Sequence, residues 1–389
     1  MVAWPPIPVS ENFQAEQTSF NVSRRGRQSR GMILSENRSD NGFFKKQVLS
    51  FPRTLPKIVA LFITLLLGAG LASAWSAPKQ STTDSTVRVI AEAIAQKSFG
   101  ETSYDLSADE GGGTIGLSRL EFPDTQGEVG ARIGIAIERN HRRQWLMDAT
   151  YLHSVLNLPG TMYDYDWTKY SAYPKIPWSY TSSQDSTSAW QSSMELARTL
   201  FSSGALSFSL YGYFRYQYAY HIENALSGWQ YLWNSSKSAY DLYGISAQTL
   251  DVLEYTISSY APGLGLLVDL EAVPRLHFAL RACYTPVYAS DQDNHILRTK
   301  LSTAAGWGNG TYADLSATLQ IGDLAASVVP YVAVDGSFTY YSISTTQTQY
   351  WYGNADASNG APQGTTLTGI SHVITSNQYE LDVRFGFAF

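Results

Sequence analysis

Two short stretches hold most of the chemistry this chain can offer. One is DYDW, residues 164–167, which sets Asp164 and Asp166 two residues apart within a run of aromatics. The other is ASDQDNH, residues 289–295, which repeats that spacing with Asp291, Asp293 and His295. On an extended backbone, residues two apart share a face. An aspartate beside a histidine orients the imidazole and stabilises its protonated form, so the ring can take a proton from water. Two close carboxylates do not readily ionise together, so one keeps a proton and can donate or accept it. If the two pairs face each other, they can hold one water between them and deliver it to a carbonyl. Nothing in that chemistry requires a serine or cysteine nucleophile, a metal or a cofactor. Read singly, each motif has a plainer meaning: a D-x-D is commonly a solvated turn or a weak Ca²⁺ site, and D-x-D-x-H a metal half-site.

The chain that must position these groups is poor in charge. Of its 389 residues 15% are charged and 13% aromatic, where soluble domains run near ~25% charged. A single cysteine, Cys283, rules out an intrachain disulfide framework. The first 74 residues carry nine Lys/Arg and four Asp/Glu, and the rest carries 18 against 29, a net −11. An acidic body argues against a nucleic-acid partner and suits cationic substrates. Segment 55–74, LPKIVALFITLLLGAGLASA, has Arg53 and Lys57 as basic flanks, an apolar run and then Ala72-Ser73-Ala74. That is the pattern of a secretory signal cleaved after Ala74, its apolar run being shorter than the roughly 20 residues a spanning helix needs. The expected organisation is an N-terminal extension and signal over 1–74, a short linker over 75–89 and one domain over 90–389. Met32 offers a second start.

Beyond residue 90 the repeating feature is alternation. Leu206, Phe208, Leu210 and Phe214 share one parity, with Ser207, Ser209, Arg215 and His221 on the other. The same holds for Leu264, Leu266, Val268 and Leu270 against Gly265, Asp269 and Glu271. The chain ends on Tyr379, Leu381, Val383, Phe385, Phe387 and Phe389 against Glu380, Asp382 and Arg384. Strands with one greasy and one polar face also build soluble sandwiches, but these segments are longer than sandwich strands. A terminal strand this apolar would be an aggregation hazard on a soluble edge, whereas in lipid it closes a barrel. The sequence therefore predicts an all-β antiparallel transmembrane β-barrel of about ten strands, with short periplasmic turns and long extracellular loops. Single strands are expected at 113–137 and 377–389, and loops at 159–187, 224–245 and 346–376.

Continuing the inward parity places Asp291, Asp293 and His295 on the lumen side. Even positions 144–154 are inward too, and Asp164 and Asp166 continue that set across Pro159-Gly160. The remaining histidines, His141, His153, His221, His277 and His372, read as incidental, and Cys283 as packed and inert.

Together these residues resemble the omptins, ten-stranded outer-membrane endopeptidases. DYDW resembles that family's Asp-x-Asp-Trp segment and ASDQDNH its Asp-x-Asp-x-His segment, with weaker similarity at SRLEF (118–122), APGLGLLVDLE (261–271) and the closing strand. The resemblance implies catalytic roles for Asp164, Asp166, Asp293 and His295, and cleavage at basic residues of peptides and proteins, outside the cell. It makes Asp291 an acid that receives the basic side chain, and puts Tyr104 and Tyr180 where the family carries further substrate-binding acids. It brings lipopolysaccharide as an activator held on the outer wall, where GYFRYQY (212–218) keeps Tyr213 but carries Arg215 and Gln217. The alternatives are a barrel that no longer cleaves and serves as an adhesin or receptor, and a channel.

Overall fold

The structure, a computed structural model, describes residues 85–109, 115–139, 142–168, 171, 175–321 and 328–389. The signal segment, Gly111–Gly113 and His141 lie outside them. Twelve antiparallel strands run in chain order: β1 (Ser85–Asp109), β2 (Ile115–Pro123), β3 (Gln126–Arg139), β4 (Arg142–Asn157), β5 (Gly160–Trp167), β6 (Ser179–Ser203), β7 (Leu206–Asn234), β8 (Ala239–Val273), β9 (Leu276–His295), β10 (Lys300–Gln320), β11 (Val329–Trp351) and β12 (Thr366–Ala388). Ten of them close a ring, sealed where β1 pairs with β12 from Ile90↔Ala388 to Ser107↔Ser371. The other two, β2 and β5, continue the positions of β3 and β4 above a break and bridge β1 to β6.

The break has a covalent cause. Proline cannot donate to the ladder, and the β3–β4 pairing stops at Gln126↔Asn157, between Pro123 on one strand and Pro159 on the next. Gly160 lets the two break points close up, since a Cβ there would sit 2.3 Å from the Pro123 ring. The expected strand 113–137 is thus two strands, and β1 begins at Ser85 rather than 90. The segments expected as loops are largely strand: 160–167, 206–234, 239–273 and 366–388 run on well past the alternating region. Above the apolar band neither strand face needs to be greasy, so alternation fades although pairing continues.

Burial is inverted relative to a soluble protein. Leu264 and Trp307 are each 62% exposed on the outer wall, while Arg132, Arg215, Arg281 and Arg384 are buried inside. A line of ring contacts, Tyr151–Trp190–Tyr216–Tyr260–Tyr288–Trp307, crosses six adjacent strands, and a second, Phe338–Tyr379–Phe99, crosses β11, β12 and β1. This is an interfacial aromatic girdle. Below it the lumen is filled: Arg384 bonds Asp335, Glu92 and Ser316, Arg132 bonds Asp148, Arg281 bonds Asp314 and Arg215 bonds Glu380. Cys283 is a free, buried thiol in a cluster with Tyr211, Tyr213 and Tyr312.

Candidate active site

The chemistry-bearing residues lie beyond the girdle. Asp293 is five residues past Tyr288 on β9, roughly 16 Å along the strand. There β9 is held on both sides, Asp293 opposite Tyr255 of β8 and Ser302 of β10, and His295 opposite Leu253 and Lys300. Asp164 and Asp166 sit on the short β5, opposite Leu120 and Ser118 of β2 and Thr181 and Ser179 of β6.

His295 Nε2 lies 2.8 Å from Asp293 Oδ2, and the same oxygen accepts the Tyr104 hydroxyl. Asp293 is buried. That burial alone would raise its carboxyl, yet His295, Lys300 and the Tyr104 bond outweigh it and hold it below the ordinary value. Burial, with Lys300 and Arg298, brings the imidazole of His295 below its usual range against the pull of Asp293. The ring is therefore neutral near pH 7 and free to accept a proton. Burial first, then the Asp166 and Asp293 carboxylates, pushes Asp164 well above the carboxylate range, with Lys300 and Arg298 opposing. The Oδ1 of Asp164 is buried and has no hydrogen-bond partner. Lys300, buried among these groups, is pushed down to about 8 by burial and Arg298.

A second pair lies one pleat below. His372 Nε2 is 2.9 Å from Asp291 Oδ2, Tyr255 donates to the same oxygen at 3.3 Å, and Gln347 Nε2 meets His372 Nδ1 at 3.3 Å. With glutamine donating to Nδ1, the ring proton sits on Nε2 and is donated to Asp291. His372 is completely buried and not incidental. Its signal was available, because the inward parity of Glu380 and Arg384, continued back along β12, arrives at 372. His221, also read as incidental, is completely buried in the lumen; it sat on the inward parity of β7 all along. Lys300 was missed because it opens β10 just after a 3₁₀ turn (Ile296–Arg298), across which the strand parity cannot be carried.

The structure thus brings Asp164, Asp166, Asp293 and His295 into one electrostatic group. Tyr104 joins it from behind: the ring has no exposed surface and packs on Phe122, Tyr255 and His372. Tyr180 does not join. It opposes Tyr165 in the ladder, so it shares the face opposite Asp164 and contacts Tyr163, Tyr165 and Trp229. Arg215 and Gln217 point inward, to Glu380 and Gln378, and give the outer wall no charge.

No protein-family model and no curated protein matches the chain. Among solved structures, the outer membrane protease OmpT from Escherichia coli is similar at a TM-score of 0.59 and 15% identity, covering 78% of this chain and 96% of that one. The translocator domain of the autotransporter NalP from Neisseria meningitidis is similar over 86% of this chain and 97% of that one at 12% identity, with a TM-score of 0.32 that carries no argument. The likeness to OmpT is one of fold, an omptin-like outer-membrane barrel.

Proposed function

We propose that the chain is an outer-membrane endopeptidase whose groove faces the cell exterior and in which a water held between Asp164/Asp166 and Asp293/His295 attacks the peptide carbonyl. The observation that carries this reading is the meeting of the two motifs: His295 Nε2 lies 2.8 Å from the buried Asp293, and Asp164, whose buried Oδ1 has no hydrogen-bond partner, lies near enough for the Asp293 carboxylate to help push its carboxyl up. His295 takes a proton from the water as the oxygen adds to the carbonyl carbon, and Asp293 stabilises the imidazolium so formed. Asp164 donates to the oxyanion that develops. The imidazolium then returns its proton to the leaving amine, and the C–N bond breaks. Lys300 offsets the carboxylate charge that would otherwise gather here.

Substrates with basic residues suit a site that gathers Asp164, Asp166, Asp291 and Asp293. Asp291 is occupied by His372 and Tyr255, however, and Tyr104 and Tyr180 supply no carboxylate, so the expected preference is looser than strictly dibasic. A second reading, a barrel that binds without cleaving, draws on the aromatic wall of Tyr163, Tyr165, Tyr180 and Trp229 on the opposite face. The two are separated by digesting a peptide library with the refolded barrel. Asp293→Asn and His295→Ala should each abolish cleavage while leaving the heat-modifiable barrel intact; undiminished turnover in either would sink the proteolytic reading.

A further inference from the structure

Five buried carboxylates of the lumen are neutralised in one way. Glu92, Asp148, Asp314, Asp335 and Glu380 each lie within ion-pair distance of an arginine. A group that includes a histidine is held differently. Asp185 on β6, with His221 and Glu223 on β7, is buried, and one donor atom from each of the three lies within 4.8 Å of the others. Among the described residues no lysine or arginine forms an ion pair with any of them. Thr187 donates to Asp185 at 2.5 Å and Ser183 to Glu223 at 2.8 Å, the Asp185 and Glu223 carboxyls lie within hydrogen-bond reach of each other, and His221 Nε2 has no hydrogen-bond partner although its ring is sealed from solvent. Two carboxyls side by side in a dry site need either a shared proton or a compact positive charge between them, and the imidazole beside them supplies a third ligand for the second case.

We propose that Asp185, His221 and Glu223 bind a divalent transition-metal cation, with zinc the ion that fits them best. An imidazole with two carboxylates is a zinc ligand set, whereas calcium and magnesium take oxygen ligands. His221 Nδ1 lies 3.2 Å from both oxygens of Asp185, near the ~3.4 Å edge of a tetrahedron with bonds of about 2.1 Å; a Glu223 oxygen lies within 4.8 Å of both partners and completes the set by turning toward the ion. With Nδ1 on the ion, the Nε2–H points to Asp124 Oδ1, 3.9 Å away. Asp124 is itself held by Thr102 and Gln378, which is the outer partner that a ligating histidine ordinarily has. The position is also distinctive. Asp124 lies in the break between β2 and β3, and Asp185 opposes Gly160 at the start of β5. The ion would clamp the short strands to the ring. Phe122 and Tyr255, stacked at 4.1 Å, lie between His221 and the catalytic pairs, so its role is structural.

The test uses the full barrel, refolded in detergent, stripped with a chelator and titrated with zinc chloride in a calorimeter. One zinc per chain is expected, together with a zinc-dependent rise in melting temperature. His221→Gln and Glu223→Gln should each weaken binding by about 100-fold or more, at least what loss of an outer partner can cost. His295→Ala should bind as the parent does, which keeps this result separate from the fate of the proteolytic reading. The isosteric Glu223→Gln decides the matter if His221→Gln does not refold. No binding by the folded parent, meaning a proton shared by Asp185 and Glu223 instead, would overturn the proposal. So would binding that survives both substitutions or that disappears in His295→Ala.

Discussion

Tyr104→Phe removes one hydroxyl and nothing else from the site. The ring keeps its packing, with centroids 6.0 Å from Phe122, 5.6 Å from Tyr255 and 4.9 Å from His372. What disappears is the hydrogen bond that the phenol donates to Asp293 Oδ2, the oxygen that also faces His295 Nε2 at 2.8 Å. A hydrogen bond to a charged acceptor contributes about 1.5–3 kcal/mol, which at 1.36 kcal/mol per unit would raise the Asp293 carboxyl by roughly one to two pH units. A more basic Asp293 holds the imidazolium of His295 more tightly, so His295 also titrates higher, by up to about one unit. The expected result is an acid limb of the pH–rate profile displaced upward and kcat reduced by about tenfold at pH 6. KM should be unchanged, because Tyr104 has no surface for a peptide to touch. The assay is steady-state cleavage of a quenched fluorescent peptide from pH 5 to 9, with urea unfolding as a control for the fold. A raised KM with an unmoved acid limb would place Tyr104 in the substrate pocket and refute the positioning role.

On the proteolytic reading, the parent barrel should itself show a characteristic profile. Since burial holds His295 below its ordinary value, the base is neutral and competent above a pH lower than about 6.5, and activity falls as pH drops through that folded value; an acid half-point at or above 6.5 contradicts the assignment. Lys300, pushed to about 8, should lose its charge near that pH and give an alkaline limb that Lys300→Met abolishes, measured on the same peptide. In the lumen, Arg384→Met strands Asp335 and removes one of two cations from Glu92. Breaking such a buried network should cost about 3–5 kcal/mol, read by urea unfolding in lipid, with Arg384→Lys losing less.

The barrel was legible because lipid and a side-chain-filled lumen impose opposite demands on alternate residues. The terminal strand shows this most plainly: Leu381, Val383 and Phe385 are about half exposed, while Glu380 and Arg384 between them are buried. The same parity carried Asp164 and Asp166 across a proline break and carried Asp291 and Asp293 beyond the girdle. Parity also held the information that was not used. Tyr180 opposes Tyr165 and so cannot share a face with Asp164, and His372 lies on the inward set of β12. The arginine partners were beyond reach, because which lumen cation meets which carboxylate depends on strands up to 292 residues apart, as in Arg384 and Glu92. The long crown strands escaped for another reason, since above the girdle no second solvent forces an alternation.

The filled lumen has a consequence for any cell that carries this barrel. Layers of buried aromatic and aliphatic side chains, Tyr104, Phe122, Tyr255, Ile343 and Ile374 above and Tyr211, Leu267 and Tyr312 below, alternate with guanidinium–carboxylate lattices. Among the described residues, such a stack narrows the way open to small hydrophilic solutes. The barrel should add a folded protein to the envelope without adding permeability, so that its abundance leaves sensitivity to detergents and small polar antibiotics where it was.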